Sequence, residues 1–261
     1  MGAEPFQRIR VSVDARVATL TLNRPEKRNA LDARTIAELA SAIASSDADP
    51  AVRVMLLRGE GKDFCAGADL EQLERIAAGA SRAENVADAM ALGGLFIAMR
   101  NASKPIIAAV HGHALAGGAG LATAADLIVA AETAVFGYPE IHLGFVPAMV
   151  TALLRRSIGE KATFERIVLG DRFSAADAAR MGLVCRVLPV ATFEAGALAF
   201  AREVAGRSAD AVALCKQLLY GIEGLSFEDA IRRGAEVNAR ARESEDCLAG
   251  VRAFLAKRGA T

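Results

Sequence analysis

Several residue types are scarce in this chain of 261 residues, which contains no tryptophan, two tyrosines, three histidines and four cysteines. The cysteines stand too far apart for a zinc knuckle or a Cys-x-x-Cys redox pair, at Cys65, Cys185, Cys215 and Cys247. We therefore expect free, mostly buried thiols in a reducing compartment. His111 and His113 stand two residues apart, but no carboxylate or third histidine lies near them in the sequence, so we predict no metal site.

The chain also lacks an excess of charge of either sign, since 31 basic residues balance 31 acidic ones. Without such an excess, no general field attracts a nucleic-acid backbone or an anionic membrane, and an anionic ligand must meet a local basic cluster. No apolar run approaches the ~18 residues of a membrane span, and the first residues, MGAEPFQRIR, lack the apolar segment of a secretory signal. We predict a cytoplasmic protein that binds neither nucleic acid nor membrane.

Strand and helix patterns alternate over the first two thirds of the chain, which is typical of an α/β fold. Residues 9–23 predict two short strands about an Asp-Ala turn, and Asp32 is the expected N-cap of the next helix. Further strands are predicted in VRVMLLRG, KPIIAAVHG and DLIVAA, with a helix near residues 83–101 and another after the second of these strands. From about Phe173 the pattern is almost continuously helical. We predict an α/β core over residues 1–190 and a helical region over residues 191–261.

Four glycines crowd the segment HGHALAGGAGLATAADL, where a buried strand is expected to turn into a helix, and they are Gly112, Gly117, Gly118 and Gly120. A dinucleotide-binding turn needs a third small residue three positions after Gly120, but Thr123 stands there. A nucleophile elbow needs a serine or cysteine between the glycines, and there is none. The remaining interpretation is that the peptide N–H groups of this turn are themselves the functional part.

Five segments occur in the order and spacing of one enzyme family, namely LNRPEKRNAL, GKDFCAGADL, HGHALAGGAGLATAADLIVA, FGYPEIHLGFVP and GDRFSAADAARMGLVCRVLP. On these segments the chain resembles the enoyl-CoA hydratase/isomerase, or crotonase, family over nearly its whole length. The resemblance implies a crotonase-like spiral of ββα units followed by a C-terminal helical region. It also implies an acyl-CoA substrate, no separate cofactor because coenzyme A enters with the substrate, and assembly as a homo-trimer or hexamer.

The resemblance implies three catalytic positions. The backbone N–H groups of Ala68 and Gly117 would bind the thioester oxygen and stabilise the enolate that forms when a proton leaves or joins the α-carbon. Glu140 would be the acid or base, because family hydratases resemble one another in carrying a glutamate there, and burial is expected to raise its pKa. Those hydratases carry a second glutamate at the position of Gly120, which this chain lacks.

The resemblance also implies positions that bind coenzyme A. Lys27 and Arg28 correspond to a region near the nucleotide, and Phe254 and Lys257 lie in the family's last helix, which can complete the site across a subunit interface. The other implied positions surround the two N–H donors, and they are Ala30, Ala66, Asp69, Leu70, Gly118 and Gly120. The family's usual Pro-x-Phe ending is absent here. Asp69 and Asp126 are also expected to cap helices or fix loops.

Three classes of function remain open at this point. The first is an enolate-forming acyl-CoA enzyme with one glutamate, either a hydratase of 2-enoyl-CoA or a Δ3,Δ2-enoyl-CoA isomerase. The second is another crotonase reaction, such as C–C cleavage or decarboxylation. The third is a non-catalytic acyl-CoA-binding subunit, which has no need of a buried acid beside an enolate site. Dienoyl isomerisation and aryl dehalogenation are disfavoured, because Ala148 stands where the first requires an aspartate and the second uses a tryptophan.

Overall fold

The computed structural model describes residues 6–258, apart from the side chains at positions 70, 72, 73, 76, 257 and 258. The described chain opens with an antiparallel hairpin of β1 (Ile9–Asp14) and β2 (Val17–Leu22). Ala15 and Arg16 close the hairpin, and both have positive φ angles. Such a pair forms a tight turn whose twist matches that of the two strands. The predicted pair of short strands is therefore confirmed.

The first helix, α1 (Ala33–Ala48), begins where the sequence predicts. Its N-cap is Asp32, whose side chain accepts a hydrogen bond from the Thr35 N–H at 2.6 Å. This contact satisfies one of the N–H groups that a helix start leaves without an intrahelical partner. Leu39 and Ile43 are buried on one face of the helix, so α1 packs onto the hairpin and the core behind it.

Two successive ββα units form the centre of the chain. The elements before them are β3 (Val54–Gly59), α2 (Leu70–Ala77) and α3 (Arg82–Asn101). The first unit consists of β4 (Ile106–Val110), β5 (His113–Leu115) and α4 (Gly117–Ala124). The second unit consists of β6 (Leu127–Ala131), β7 (Val135–Gly137) and α5 (Ala148–Leu169).

The C-terminal third is mainly helical, as predicted. It begins with β8 (Phe173–Ser174), α6 (Ala175–Arg180) and β9 (Arg186–Leu188). Four helices follow, and they are α7 (Phe193–Ala205), α8 (Ala209–Gly221), α9 (Phe227–Arg242) and α10 (Glu245–Arg258). No helix in the described part of the chain combines the length and apolar character needed to cross a membrane.

The strands form two sheets. The larger has the order β1-β2-β3-β4-β6-β9, with parallel pairing everywhere except between β1 and β2. The smaller has the order β5-β7-β8, in which β5 and β7 are parallel. Each ββα unit thus gives one strand to each sheet before its helix. The predicted α/β architecture of repeated ββα units is confirmed.

The first helices after residue 190 are attached to the core in two ways. α7 packs on the large sheet and buries Phe193 and Ala201. α8 is fixed by the buried Lys216, whose Nζ donates to Asp126 Oδ2 at 2.8 Å. Tyr220 on the same helix donates its hydroxyl to Asp126 Oδ1 at 2.6 Å. Asp126 therefore anchors a helix to a loop, in keeping with its expected structural use.

The prediction of mostly buried thiols is wrong. All four cysteines are free, but only Cys65 is buried, whereas Cys185 and Cys215 are exposed and Cys247 is intermediate. Helical periodicity explains Cys215, because its neighbours Leu214 and Lys216 turn toward the core and leave position 215 facing out. An apolar composition does not by itself decide which side of a helix a cysteine occupies.

Candidate active site

A cavity of about 410 Å³ opens between α3, the start of α4 and the segment 139–150. Most of its lining is apolar or small, and Asn85, Asp88 and Glu140 are its polar side chains. Small residues line the side formed by the two glycine-bearing loops, and they are Ala66, Ala68, Ala116 and Gly117. The cavity is therefore an apolar chamber with exposed backbone on one wall and a carboxyl group on another.

Glu140 lies in a short 3₁₀ turn, Pro139–Leu143, that directly follows β7. Pro139 starts this turn and Gly144, with a φ of 69°, ends it. Within the described part of the chain, the Glu140 Oε2 atom is buried and has no hydrogen-bond partner. Burial raises the pKa of Glu140, and a hydrogen bond from its own backbone N–H only partly offsets this. A buried carboxyl with a raised pKa and a free oxygen is suited to exchange protons with a bound molecule.

Ala68 lines the cavity, and its two neighbours in the chain are held by Leu31. The Leu31 N–H donates to the Gly67 carbonyl at 2.8 Å, and the Asp69 N–H donates to the Leu31 carbonyl at 3.2 Å. Gly117 is the first residue of α4, where helix geometry leaves the N–H without an intrahelical acceptor. Among the described residues, neither the Ala68 N–H nor the Gly117 N–H has a hydrogen-bond acceptor. Two unshared N–H groups thus belong to one cavity wall.

The backbone directly before the Gly117 donor is strained. Ala116, the N-cap of α4, has φ 50° and ψ −127°, a conformation that residues with a Cβ rarely adopt. Such a residue costs on the order of 1–3 kcal/mol and persists only where its surroundings hold it. The Ala116 N–H donates to Gly137 at 2.9 Å, and its carbonyl accepts from the Gly120 N–H at 2.9 Å. These contacts fix the direction of the next amide, Gly117.

A buried arginine connects the loops on either side of Ala68. Arg24 Nη2 lies 2.9 Å from Asp69 Oδ2, and Arg24 Nη1 lies 3.1 Å from Asp32 Oδ2. Arg24 Nη1 also donates to the Ala30 carbonyl at 2.8 Å. Burial raises the pKa of Asp69, but the Glu71 N–H and Arg24 outweigh it, so the pKa is lowered overall. Asp69 therefore fixes the loop that presents Ala68.

The basic positions predicted to meet the nucleotide lie on the surface. Lys27 and Arg28 are exposed, and the Arg28 Nε donates to Asp63 Oδ2 at 2.7 Å. Asp63 also contacts the His113 ring nitrogen Nδ1 at 2.6 Å. Sequence spacing does not reveal this carboxylate beside His113, because the two residues are 50 positions apart. No metal-ligating cluster occurs among the described residues.

Asp63→Asn is expected to destabilise the protein near neutral pH and to make unfolding less sensitive to acid. Burial raises the pKa of Asp63, but Arg28 and His113 outweigh it and lower the pKa to about 2. Because the unfolded value is about 3.9, the ionised carboxyl stabilises the fold above about pH 4, and this stabilisation is lost as the pH falls toward 2. Urea unfolding of both proteins at about pH 7 and pH 3 measures the difference, expected at about 1–3 kcal/mol near pH 7. The exposed Asp14→Asn is the control, and an equal acid sensitivity of wild type and Asp63→Asn would contradict the prediction.

Two of the implied binding glycines lie beneath the cavity and do not line it. A Cβ at Gly118 would collide with the Cys65 carbonyl, and a Cβ at Gly120 would stand 2.5 Å from Val150 Cγ2. Ala30 is likewise buried outside the lining. The structure thus brings Glu140, Ala68, Gly117 and Ala66 together and leaves these three behind the wall.

The last three implied positions lie in α2 and α10. Leu70 begins α2 and Lys257 lies in α10, and the side chains of both are outside the described residues. Phe254 on α10 is 58% exposed and does not line the cavity. The cavity wall formed by α3, which includes Asn85, Asp88 and Leu92, is not among the positions predicted from the sequence. No motif marks that wall, because its residues share only a helix face.

Comparison with known proteins gives a match over nearly the whole chain. The family model described as enoyl-CoA hydratase/isomerase matches residues 12–261. A Thermus thermophilus protein with a provisional enoyl-CoA hydratase name is 42% identical over 242 residues, covering 93% of this chain and 95% of the relative. A mevalonyl-coenzyme A hydratase of Aspergillus fumigatus is 38% identical over 249 residues, covering 93% of this chain and 89% of the relative.

A solved structure of an enoyl-CoA hydratase from Mycobacterium smegmatis has the same fold. It superposes with a TM-score of 0.91 at 34% identity and covers 97% of each chain. This similarity confirms the crotonase-like fold expected from the five sequence segments. The chain belongs to the enoyl-CoA hydratase/isomerase, or crotonase, family.

Proposed function

We propose that this protein is an acyl-CoA enzyme that acts on an enoyl thioester through an enolate, with Glu140 as its acid and base. The observation that carries the proposal is that Glu140 and the two unshared N–H groups line one largely apolar cavity. Backbone donors suit an enolate oxygen because they are rigid and cannot titrate. Gly117 adds the positive end of a helix to this wall.

A single carboxylate is sufficient for double-bond isomerisation. Glu140 takes a proton from the α-carbon of a 3-enoyl thioester, and the electron pair of that C–H bond moves onto the thioester oxygen as an enolate. The same carboxyl then returns the proton to the γ-carbon, the electron pair flows back, and a 2-enoyl thioester results. The N–H groups of Ala68 and Gly117 stabilise the charged intermediate. We therefore favour Δ3,Δ2-isomerisation as the reaction that this geometry serves.

Hydration of 2-enoyl-CoA is the second candidate, and the names of the relatives favour it. The Thermus, Aspergillus and Mycobacterium proteins are all named hydratases. Hydration needs a water oriented toward the β-carbon and a proton delivered to the α-carbon, which two carboxylates normally share. Glu140 here would have to orient the water with help from backbone groups or from Asp88, an ionisable residue that also lines the cavity.

C–C cleavage, decarboxylation and simple acyl-CoA binding are less well supported. Cleavage and decarboxylation would use the same N–H groups but would require a substrate with a second carbonyl or carboxyl group in the cavity. A binding subunit would need the cavity without an unpaired, buried carboxyl, and burying one is unfavourable. Glu140 therefore favours an enzyme over a binding subunit.

An assay panel separates these reactions by their products. We expect a 3-enoyl thioester to be converted into the 2-enoyl isomer, with solvent deuterium entering the α and γ positions. Parallel reactions with 2-enoyl and branched glutaconyl thioesters report hydration and decarboxylation. Hydration of the 2-enoyl thioester without any turnover of the 3-enoyl thioester would replace isomerisation by the second candidate. No deuterium exchange in any thioester would overturn the enzyme proposal.

We also propose where coenzyme A binds and how the chain assembles. We place the nucleotide near Lys27 and Arg28, with no separate cofactor, in a cytoplasmic homo-trimer or hexamer. The support for assembly is the large apolar surface of the last two helices, where Phe227 and Ile231 of α9 and Leu255 of α10 are more than half exposed. Apolar surface of this extent is typical of a face that binds another subunit.

A further inference from the structure

Three helices converge on Gly120, the position where this chain lacks a carboxylate. Gly120 lies in α4, which contacts both α3 and α5. A Cβ at position 120 would stand 2.5 Å from Val150 Cγ2 of α5 and 3.0 Å from Phe96 Cζ of α3. Contacts shorter than 3.0 Å essentially never occur for a real Cβ, so the Val150 side chain already occupies the space that any residue larger than glycine would need.

Val150 stands between Gly120 and the cavity. Val150 is one of the residues that line the cavity, although it is only 2% exposed, whereas Gly120 is not part of the lining. Phe96 is 3% exposed, and its Cζ would stand 3.0 Å from a Cβ at position 120. A side chain growing from position 120 could reach the bound substrate only by displacing Val150. The wall at this point is therefore apolar, and within the described residues the ionisable groups that line the cavity are Asp88 and Glu140.

We propose that Val150 is a specificity-determining residue that, together with Gly120, keeps this wall free of a second carboxylate and of an oriented water. This inference rests on the proposed enolate chemistry at Glu140. Hydration joins a water oxygen to the β-carbon, while the double-bond electrons move toward the thioester oxygen. One carboxylate takes the proton that the water releases, and the other gives its proton to the α-carbon. The isopropyl group of Val150 can neither accept nor donate a proton. The chemistry that remains is therefore proton transfer by Glu140, which gives isomerisation.

A packing role alone would also place glycine at a helix crossing, because glycine lets backbones approach closely. The two explanations differ in what limits position 120. If Val150 is the obstacle, trimming it must make room for a side chain at position 120, and that room must connect with the cavity. If the helix backbones are the obstacle, trimming Val150 must leave position 120 as intolerant as before.

Thermal unfolding tests the steric part without any substrate. Gly120→Ala is expected to lower the Tm by about 2–10 °C, the range that overpacking causes in a protein of this size. In a Val150→Ala background the same substitution is expected to cost less than half as much, because the atom that the new Cβ would strike is gone. Gly118→Ala is the matched control, since its Cβ would meet the Cys65 backbone carbonyl, which Val150→Ala does not move. Equal losses for Gly120→Ala in both backgrounds would overturn the inference.

Product ratios test the chemical part. Gly120→Glu combined with Val150→Ala is expected to raise the ratio of hydration to isomerisation about tenfold or more over Val150→Ala alone, since a positioned acid or base contributes ~10²–10⁴ to a rate. Gly120→Glu without the second change is expected to give no such gain and a lower Tm. A folded double variant whose ratio matches that of Val150→Ala would overturn the assignment of specificity to this pair.

The two proposals fail in different ways. Exchange of the α-proton with solvent deuterium needs Glu140 and the N–H groups but no second carboxylate, so its absence from the wild type would overturn the enolate proposal. The Tm comparison involves no chemistry, so it decides the steric part of the Val150 inference even then. Retained α-proton exchange in the double variant, with an unchanged product ratio, would remove the Val150 inference while leaving the enolate proposal intact.

Discussion

Glu140→Gln is expected to lower isomerase turnover by about 10²–10⁴-fold, the usual contribution of a positioned acid or base. Glutamine has nearly the same shape and can keep the hydrogen bond from its own backbone N–H, but it cannot accept the α-proton. Exchange of that proton with solvent deuterium should therefore fall to the rate seen without enzyme. Mass spectrometry of the recovered thioester measures this exchange directly, whichever reaction follows the enolate.

Stability provides an independent check on this variant. Burial raises the pKa of Glu140 in the folded protein, so its neutral form stabilises the fold below the unfolded pKa, about 4.3, and this stabilisation is lost as the pH rises through the higher folded value. Above the folded pKa the buried negative charge lowers the stability of the fold, whereas glutamine carries no charge at any pH. We expect the Tm of Glu140→Gln near neutral pH to equal or exceed that of the wild type.

The exposed Glu132→Gln is the control for the loss of a negative charge. Glu132 accepts a hydrogen bond from the Val190 N–H far from the cavity lining, and its variant is expected to keep full turnover. The pH profile of kcat/KM should rise through a pKa above the usual glutamate value, because the ionised base is the active form. Full turnover of Glu140→Gln on every enoyl thioester of the panel would contradict both the isomerase and the hydratase proposals and would favour a binding subunit.

The sequence pattern predicts most of the long elements of the fold and misses the short strands of the small sheet. Strand β4 is a continuous apolar run and helix α3 is a 20-residue, Ala-rich stretch, and both are long enough to be found from the sequence. The strands of the small sheet, β5, β7 and β8, have three, three and two residues, too few for any period to appear. These strands exist because neighbouring turns of the spiral bring them side by side, which is a property of the whole fold.

Two helices are also missed, for different reasons. The segment EGKDFCAGADLEQL is typical of a glycine-bearing loop, but α2 begins within it at Leu70. α5 has 22 residues, yet it contains Gly159 with φ 77° and ψ 171°, so its pattern is broken in the middle. Glycine weakens the helical signal in both cases, and tertiary packing decides the outcome.

The candidate site likewise has one part that the sequence predicts and one part that it does not. Glu140, Ala68 and Gly117 follow from motifs, because each lies in a short segment whose residues act together. The apolar wall cannot be predicted from a motif, because its residues come from three helices. Phe96 and Gly120 are 24 positions apart in the sequence, and Gly120 and Val150 are 30 positions apart. A glycine in a glycine-rich turn reveals nothing about which distant side chain fills the space above it.

Gly117→Pro is expected to reduce turnover by about 10²–10³-fold, the effect of removing one donor to a developing oxyanion. Position 117 is the first residue of α4, where proline is well tolerated because the N–H there has no intrahelical acceptor. The substitution removes the donor and fits the helix itself, but proline disfavours the φ 50°, ψ −127° conformation of the preceding Ala116, so a lower Tm is expected. Steady-state kinetics on the 3-enoyl thioester measure kcat. The Tm of each variant shows whether it is folded at the assay temperature.

Gly117→Ala is the matched control for this result, because it adds a side chain but keeps the N–H. Its Cβ would lie 3.4 Å from Leu92 Cδ2 and 3.8 Å from Leu31 Cδ1, which are ordinary van der Waals contacts. We expect it to keep most of its kcat, although added bulk beside the thioester can raise KM. If the alanine and proline variants lose equal turnover, the loss comes from bulk in the cavity and not from the missing donor. A folded proline variant with wild-type turnover would remove the Gly117 N–H from the mechanism, leaving Ala68 and the helix dipole to bind the oxyanion.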